Sequence, residues 1–128
     1  MEEKEKYFFD HEKLHVYQRA VELVEWIDRL LKKIEIRSST RDQLDRASES
    51  IVLNISEGNG KFTPKDRCRY FDISRGSAME CAGCLDVLFA KKLITAKERE
   101  EGKIILRDIL NMLMGLIKSN SDRVYEAD

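Results

Sequence analysis

From Val16 onward the apolar positions recur at threes and fours. Val16, Ala20, Leu23, Val24, Ile27, Leu30, Leu31 and Ile34 share one stripe of a helix about five turns long. Arg37-Ser38-Ser39-Thr40 interrupts the stripe, and Thr40 with Gln43 has the spacing of a capping box, which predicts a second helix from near Arg41. That helix buries Leu44, Ala47, Ser48, Ile51 and Ile55 and runs to Glu57, with Gly58 as the left-handed residue that ends it. Thr63 as N-cap and Pro64 in the first turn open a third helix to about Lys92, about 43 Å long. Thr95 and Glu98 repeat the capping-box spacing before a fourth helix, which carries Ile105, Ile109, Met112, Leu113, Leu116 and Ile117 to about Ser119. Nothing alternates with the period of a strand. The expected fold is all-α, an antiparallel up-and-down four-helix bundle with short connections.

A length of 128 residues suits a single domain over 1–128 that buries roughly two-thirds of its unfolded surface. Residues 1–13, charge-dense before Tyr7, Phe8 and Phe9, are expected as a flexible lead-in whose aromatics dock nearby, and 120–128 as a frayed tail. With 23 basic and 24 acidic residues, the formal charge of -1 excludes a protein that coats nucleic acid through its global field. Local basic faces remain open. Three cysteines, without a secretory leader pattern, point to a reducing, cytoplasmic setting, and no segment is long enough to span a membrane.

The third helix has one apolar face too many. Tyr70, Ser74, Ser77, Cys81, Leu85 and Leu88 gather on one side as the expected bundle core. The opposite side carries Gly76, Met79, Gly83, Val87 and Ala90, where a monomer would place charge. This second seam, with Leu53 of the second helix, is the expected interface of a homo-oligomer; its small residues let another helix approach closely.

Several motifs admit sharper chemistry. His11-Glu12-Lys13-Leu14-His15 matches the H-E-x-x-H pattern that can hold zinc, but these are the only two histidines and they lie at a helix entry, so a solvated helix start is the better account. Cys81-Ala82-Gly83-Cys84 has redox-pair spacing, yet it lies mid-helix, where buried small residues are expected. Gly58-Asn59-Gly60-Lys61 lacks the spacing of a phosphate-cradling loop. No cofactor, metal or catalytic residue is therefore expected. Lys61, Lys65, Arg67, Arg69 and Arg75 outnumber Asp66 and Asp72 over the start of the third helix, a local positive patch that a symmetric oligomer would repeat as a ring. Glu57 opposes the dipole of the helix it ends, at a cost of about 0.3–1 kcal/mol. Arg69, Arg75 or the following loop amides are its expected partners, with Asn54 in the same polar cluster.

Leu14-x-Val16-Tyr17-Gln18-x-Ala20, Ser50-Ile51-Val52-Leu53-Asn54-Ile55-Ser56-Glu57-Gly58-Asn59-Gly60 and Arg69-Tyr70-Phe71-Asp72-Ile73-Ser74-Arg75-Gly76-Ser77-Ala78-Met79-Glu80 resemble the four-helix-bundle proteins encoded in 23S rRNA intervening sequences, also called the S23 ribosomal protein family. The resemblance spans about residues 10 to 118. Members of that family are similar to the accessory variability determinants of diversity-generating retroelements, which are strongly basic homopentameric barrels that bind a reverse transcriptase and its nucleic acid. The resemblance implies a pentamer, association with RNA or RNA/DNA and a reverse transcriptase, and no enzymatic activity. The function it implies is a non-enzymatic oligomeric adaptor with Lys61, Lys65, Arg67, Arg69 and Arg75 on phosphate. The alternative is a protein-interaction scaffold without direct nucleic-acid contact.

Overall fold

The structure is a computed structural model that describes residues 6–127, with side chains to residue 121. A 3₁₀ turn at Asp10–Lys13 leads into α1 (His15–Lys32), α2 (Ser39–Asn59), α3 (Pro64–Ala90) and α4 (Ala96–Ala127). The helices pack in a closed cycle, α1 on α2, α2 on α3, α3 on α4 and α4 back on α1, with the α2–α3 and α3–α4 pairs most extensive. That is the four-helix bundle expected from the apolar periodicity.

The core follows the stripes of α1 and α2 closely. Leu23, Ile27, Leu44, Ile51 and Ile55 are fully buried, as are Ile109 and Leu113 of α4. On α3 the buried stripe is Phe71, Ser74, Ala78, Cys81, Leu85 and Leu88, with Cys84 beside it. Tyr70 and Ser77, expected in the core, are only half-buried. The true stripe keeps a strict alternation of three and four, and Phe71 wins the interior because a larger apolar area leaves water there than at Tyr70. Ser74 enters the core by donating its hydroxyl to the Ile51 carbonyl of α2 at 2.9 Å.

Helix ends depart from expectation in instructive ways. Ser38, not Thr40, caps α2: its Oγ accepts from the Arg41 amide at 3.2 Å, and Gln43 instead donates across to Glu80 of α3 at 2.6 Å. Gly58 does not end α2 in a left-handed turn. It is buried one residue inside the helix, and a Cβ there would lie 2.9 Å from Tyr70 Cβ and 3.0 Å from the Phe71 ring. Its task is the close approach of α2 to α3. The left-handed residue is Lys92, with φ 62°, where α3 ends as the Leu93 amide reaches back to the Leu88 carbonyl at 2.9 Å. The capping box of α4 forms as expected, Thr95 and Glu98 exchanging hydrogen bonds of 2.9 and 3.1 Å. α4 continues to Ala127, beyond the expected end near Ser119.

Candidate functional site

The basic patch lies at the end of the bundle where α2 hands over to α3. The four-residue connection Gly60 to Thr63 is short and tightly bonded: the Gly60 and Lys61 amides donate to the Glu57 and Gly58 carbonyls, and Thr63 Oγ1 accepts from the Asp66 amide at 3.1 Å. Pro64 follows in the first turn of α3, where a missing N–H is harmless. Arg67 turns back and donates from Nε to the Lys61 carbonyl at 2.7 Å, so its guanidinium braces the loop.

The five predicted cations therefore divide. Lys61 Nζ sits 4.9 Å from the Tyr70 ring centroid and the Arg69 guanidinium 5.6 Å from it, so these two converge on one aromatic ring. Lys65 is exposed, one turn away. Arg75 is drawn to Asp72 of its own helix at 3.1 Å, which removes much of its charge from the patch. A feature missed from the sequence lies between them: Phe62, in the loop itself, is 97% exposed. Its signal was present, an aromatic between glycine and proline in a turn that has no core to fill.

The second seam of α3 is where expected, and no element of the chain covers it among the described residues. Met79 is 54% exposed and Val87, Gly76, Gly83 and Ala90 are exposed with it. A Cβ on Gly76 or Gly83 would meet nothing within 4 Å. Ile73, one turn above Gly76, extends the seam and was not anticipated. Leu53 is exposed on α2 and, with Val21, Val24, Val52 and Glu49, lines a separate groove of about 190 Å³ between α1 and α2.

Asn54 and Glu57 do not share a cluster. Asn54 Nδ2 donates to the Ser50 carbonyl and Oγ at 2.8 and 3.1 Å, and Ser50 Oγ meets Ser77 Oγ at 2.9 Å, a polar seam that fixes α2 on α3. Glu57 is exposed. Neither Arg69 nor Arg75 reaches it, since one lies over Tyr70 and the other on Asp72. Solvent at this helix end screens its conflict with the dipole.

The remaining motifs take structural roles. Glu12 Oε2 accepts from the Phe8 amide at 2.8 Å and also from the Phe9 amide, which turns the carboxylate back onto the entry of the 3₁₀ turn as its cap. His11 packs 4.7 Å from the Tyr17 ring and stacks on Phe9. Of the tail aromatics expected to dock, Phe9 does so only on His11 and stays largely exposed, as does Phe8. Among the described residues no group of three ligands could hold a metal. Burial pushes the Cys81 thiol up to about 12 and raises Cys84 as well. Both are protonated core residues at neutral pH, the opposite of an activated redox pair. A charged groove of about 410 Å³ between α1 and α4 is lined by His15, Arg19, Glu22 and Asp108, the last three tied together by ion pairs. No helix among the described residues is long and apolar enough to cross a membrane.

Comparison with known proteins agrees with this geometry. The model of the family described as 23S rRNA-intervening sequence protein matches residues 12–115. The crystal structure of a protein with unknown function from the S23 ribosomal protein family of Bacteroides thetaiotaomicron VPI-5482 superposes with a TM-score of 0.77 at 24% identity, covering 80% of this chain and 98% of that one. At that identity the likeness establishes the fold. No curated protein matches the chain.

Proposed function

The chain belongs to the 23S rRNA-intervening sequence protein family, and on that premise we propose that it is a non-enzymatic adaptor that assembles as a homo-oligomer, a pentamer, and binds structured RNA. The observation that carries the proposal is that one helix, α3, presents cations beside the loop at its first turns and an uncovered apolar seam below them. Self-association through the seam would multiply the loop patch about an axis and concentrate positive charge on one rim. Lys61, Lys65 and Arg69 contribute the phosphate contacts; Arg67 acts by bracing the loop. The resemblance to retroelement accessory proteins supplies the protein partner in this reading, a reverse transcriptase on its RNA, in the cytoplasm.

A scaffold that binds protein alone is the second reading. It is favoured by the charge of -1 and by the pairing of Arg75 with Asp72. Filter binding of a structured RNA hairpin over a salt series separates the two. Retention that falls steeply with salt, with a slope lowered by about one for each of Lys61→Ala and Arg69→Ala, supports phosphate contact. Absence of retention at low salt overturns it.

A further inference from the structure

Phe62 is the most exposed large apolar side chain of the described residues, at 97%. A ring in that position contributes nothing to the core, and water solvates it poorly. Its backbone surroundings are nevertheless held from both sides: the Lys61 amide by the Gly58 carbonyl at 3.1 Å, the Lys61 carbonyl by Arg67 Nε at 2.7 Å, and the Thr63 side chain by the Asp66 amide at 3.1 Å. The ring is thus presented on a braced loop rather than left on a slack one. Lys61 precedes it in the loop and Lys65 and Arg69 follow on the first two turns of α3, and the same end of the bundle displays Phe8 and Phe9, brought there by the Asn59 Nδ2 bond to Asp10 Oδ2 at 3.1 Å.

We infer that Phe62 is a stacking platform for an unpaired nucleobase of single-stranded RNA, with Lys61, Lys65 and Arg69 on the adjacent phosphates. The inference rests on the RNA-binding reading and specifies which part of an RNA is held. A duplex keeps its base faces stacked on one another and offers a ring nothing but its terminal pair; an unpaired loop or end can turn a base onto it. Charge points the same way. Glu57 and Asp66 alternate with the cations, so a flat anionic surface would meet both signs, whereas a narrow strand can follow the cations and leave the carboxylates in water.

The test is fluorescence anisotropy of the full chain with labelled oligouridine and with a blunt RNA duplex of the same length. Wild type is expected to prefer oligouridine. Phe62→Ala, a surface change that leaves the core untouched, should weaken oligouridine binding about tenfold while duplex affinity and the salt slope stay as they were, and Phe62→Tyr should restore it. Lys61→Ala and Arg69→Ala should instead weaken both probes and lower the slope by about one each. Binding of oligouridine by wild type that Phe62→Ala leaves unchanged overturns the stacking role while sparing the RNA reading. Preference for the duplex overturns it too. If neither RNA binds, both readings fall.

Discussion

Gly58 owes its importance to what it lacks. With Tyr70 Cβ 2.9 Å and Phe71 ring carbons 3.0 and 3.1 Å from where a Cβ would sit, any side chain must push α3 off α2. Gly58→Ala gains about 1 kcal/mol in helix propensity, but the displaced atom is next to the α3 backbone and overpacking of this kind costs about 1–3 kcal/mol. Net destabilisation in urea unfolding is therefore expected, whereas Gly115→Ala, on open surface, should stabilise. Equal midpoints for Gly58→Ala and wild type would remove the close approach as a constraint. The sequence marks Gly58 as special but not why, because a left-handed turn and a helix contact call for the same residue. Likewise Arg67 and Arg69 look alike in a row of cations. Only the path of the chain shows that one holds a carbonyl and the other an aromatic face.

At the scale of the element, caps and breakers were legible where the pairing is local. Thr95 and Glu98 behave as their spacing implies. Thr95→Ala should cost about 1 kcal/mol. Glu98 also carries a pH signature. The Thr95 amide, chiefly, and then the Thr95 hydroxyl and Lys33 hold its carboxyl below the ordinary value of 4.5, against a smaller opposing effect of burial. A carboxylate whose folded pKa is lowered stabilises the fold above its unfolded pKa and loses that contribution as pH falls through the folded one. Comparing urea midpoints at neutral pH and near about pH 3, Glu98→Gln should be destabilising at neutral pH and converge on wild type in acid. A gap that persists in acid would refute the assignment. Where two signals compete, spacing alone misleads: Thr40 with Gln43 has the more complete capping-box pattern, but Ser38 starts the helix and Gln43 spans to Glu80. On α3 the core stripe runs through Phe71 and Ala78, one residue out of phase with the expected Tyr70 and Ser77, because serines and cysteines inside it give little hydrophobic contrast.

For the whole molecule, four helices and their order could be read from the breakers, since each connection is short enough to force neighbours antiparallel. What covers the outer seam of α3 could not, because a pattern of apolar residues does not say whether its partner lies in the same chain. No described element does so. Light scattering of wild type should give a multiple of the 15.0 kDa chain mass, and Met79→Glu, by placing a charge in the seam, should return it to a single chain. A wild type that is already a single chain would end the oligomer reading.

The α1–α4 contact has a consequence for the order of events in folding. Arg19 reaches Asp108 at 3.0 Å across 89 residues of chain, the longest closure among the hydrogen bonds described, while α2 and α3 meet across a four-residue connection. Chain-closure entropy grows with that separation, so the α2–α3 hairpin can form as a local nucleus and α1 must wait to dock against α4. The packing is lopsided in the same sense, α1 being the helix with the least extensive contacts, so α1 is expected to show the fastest amide exchange of the four helices, with the braced Phe62 loop standing on the more protected α2–α3 pair.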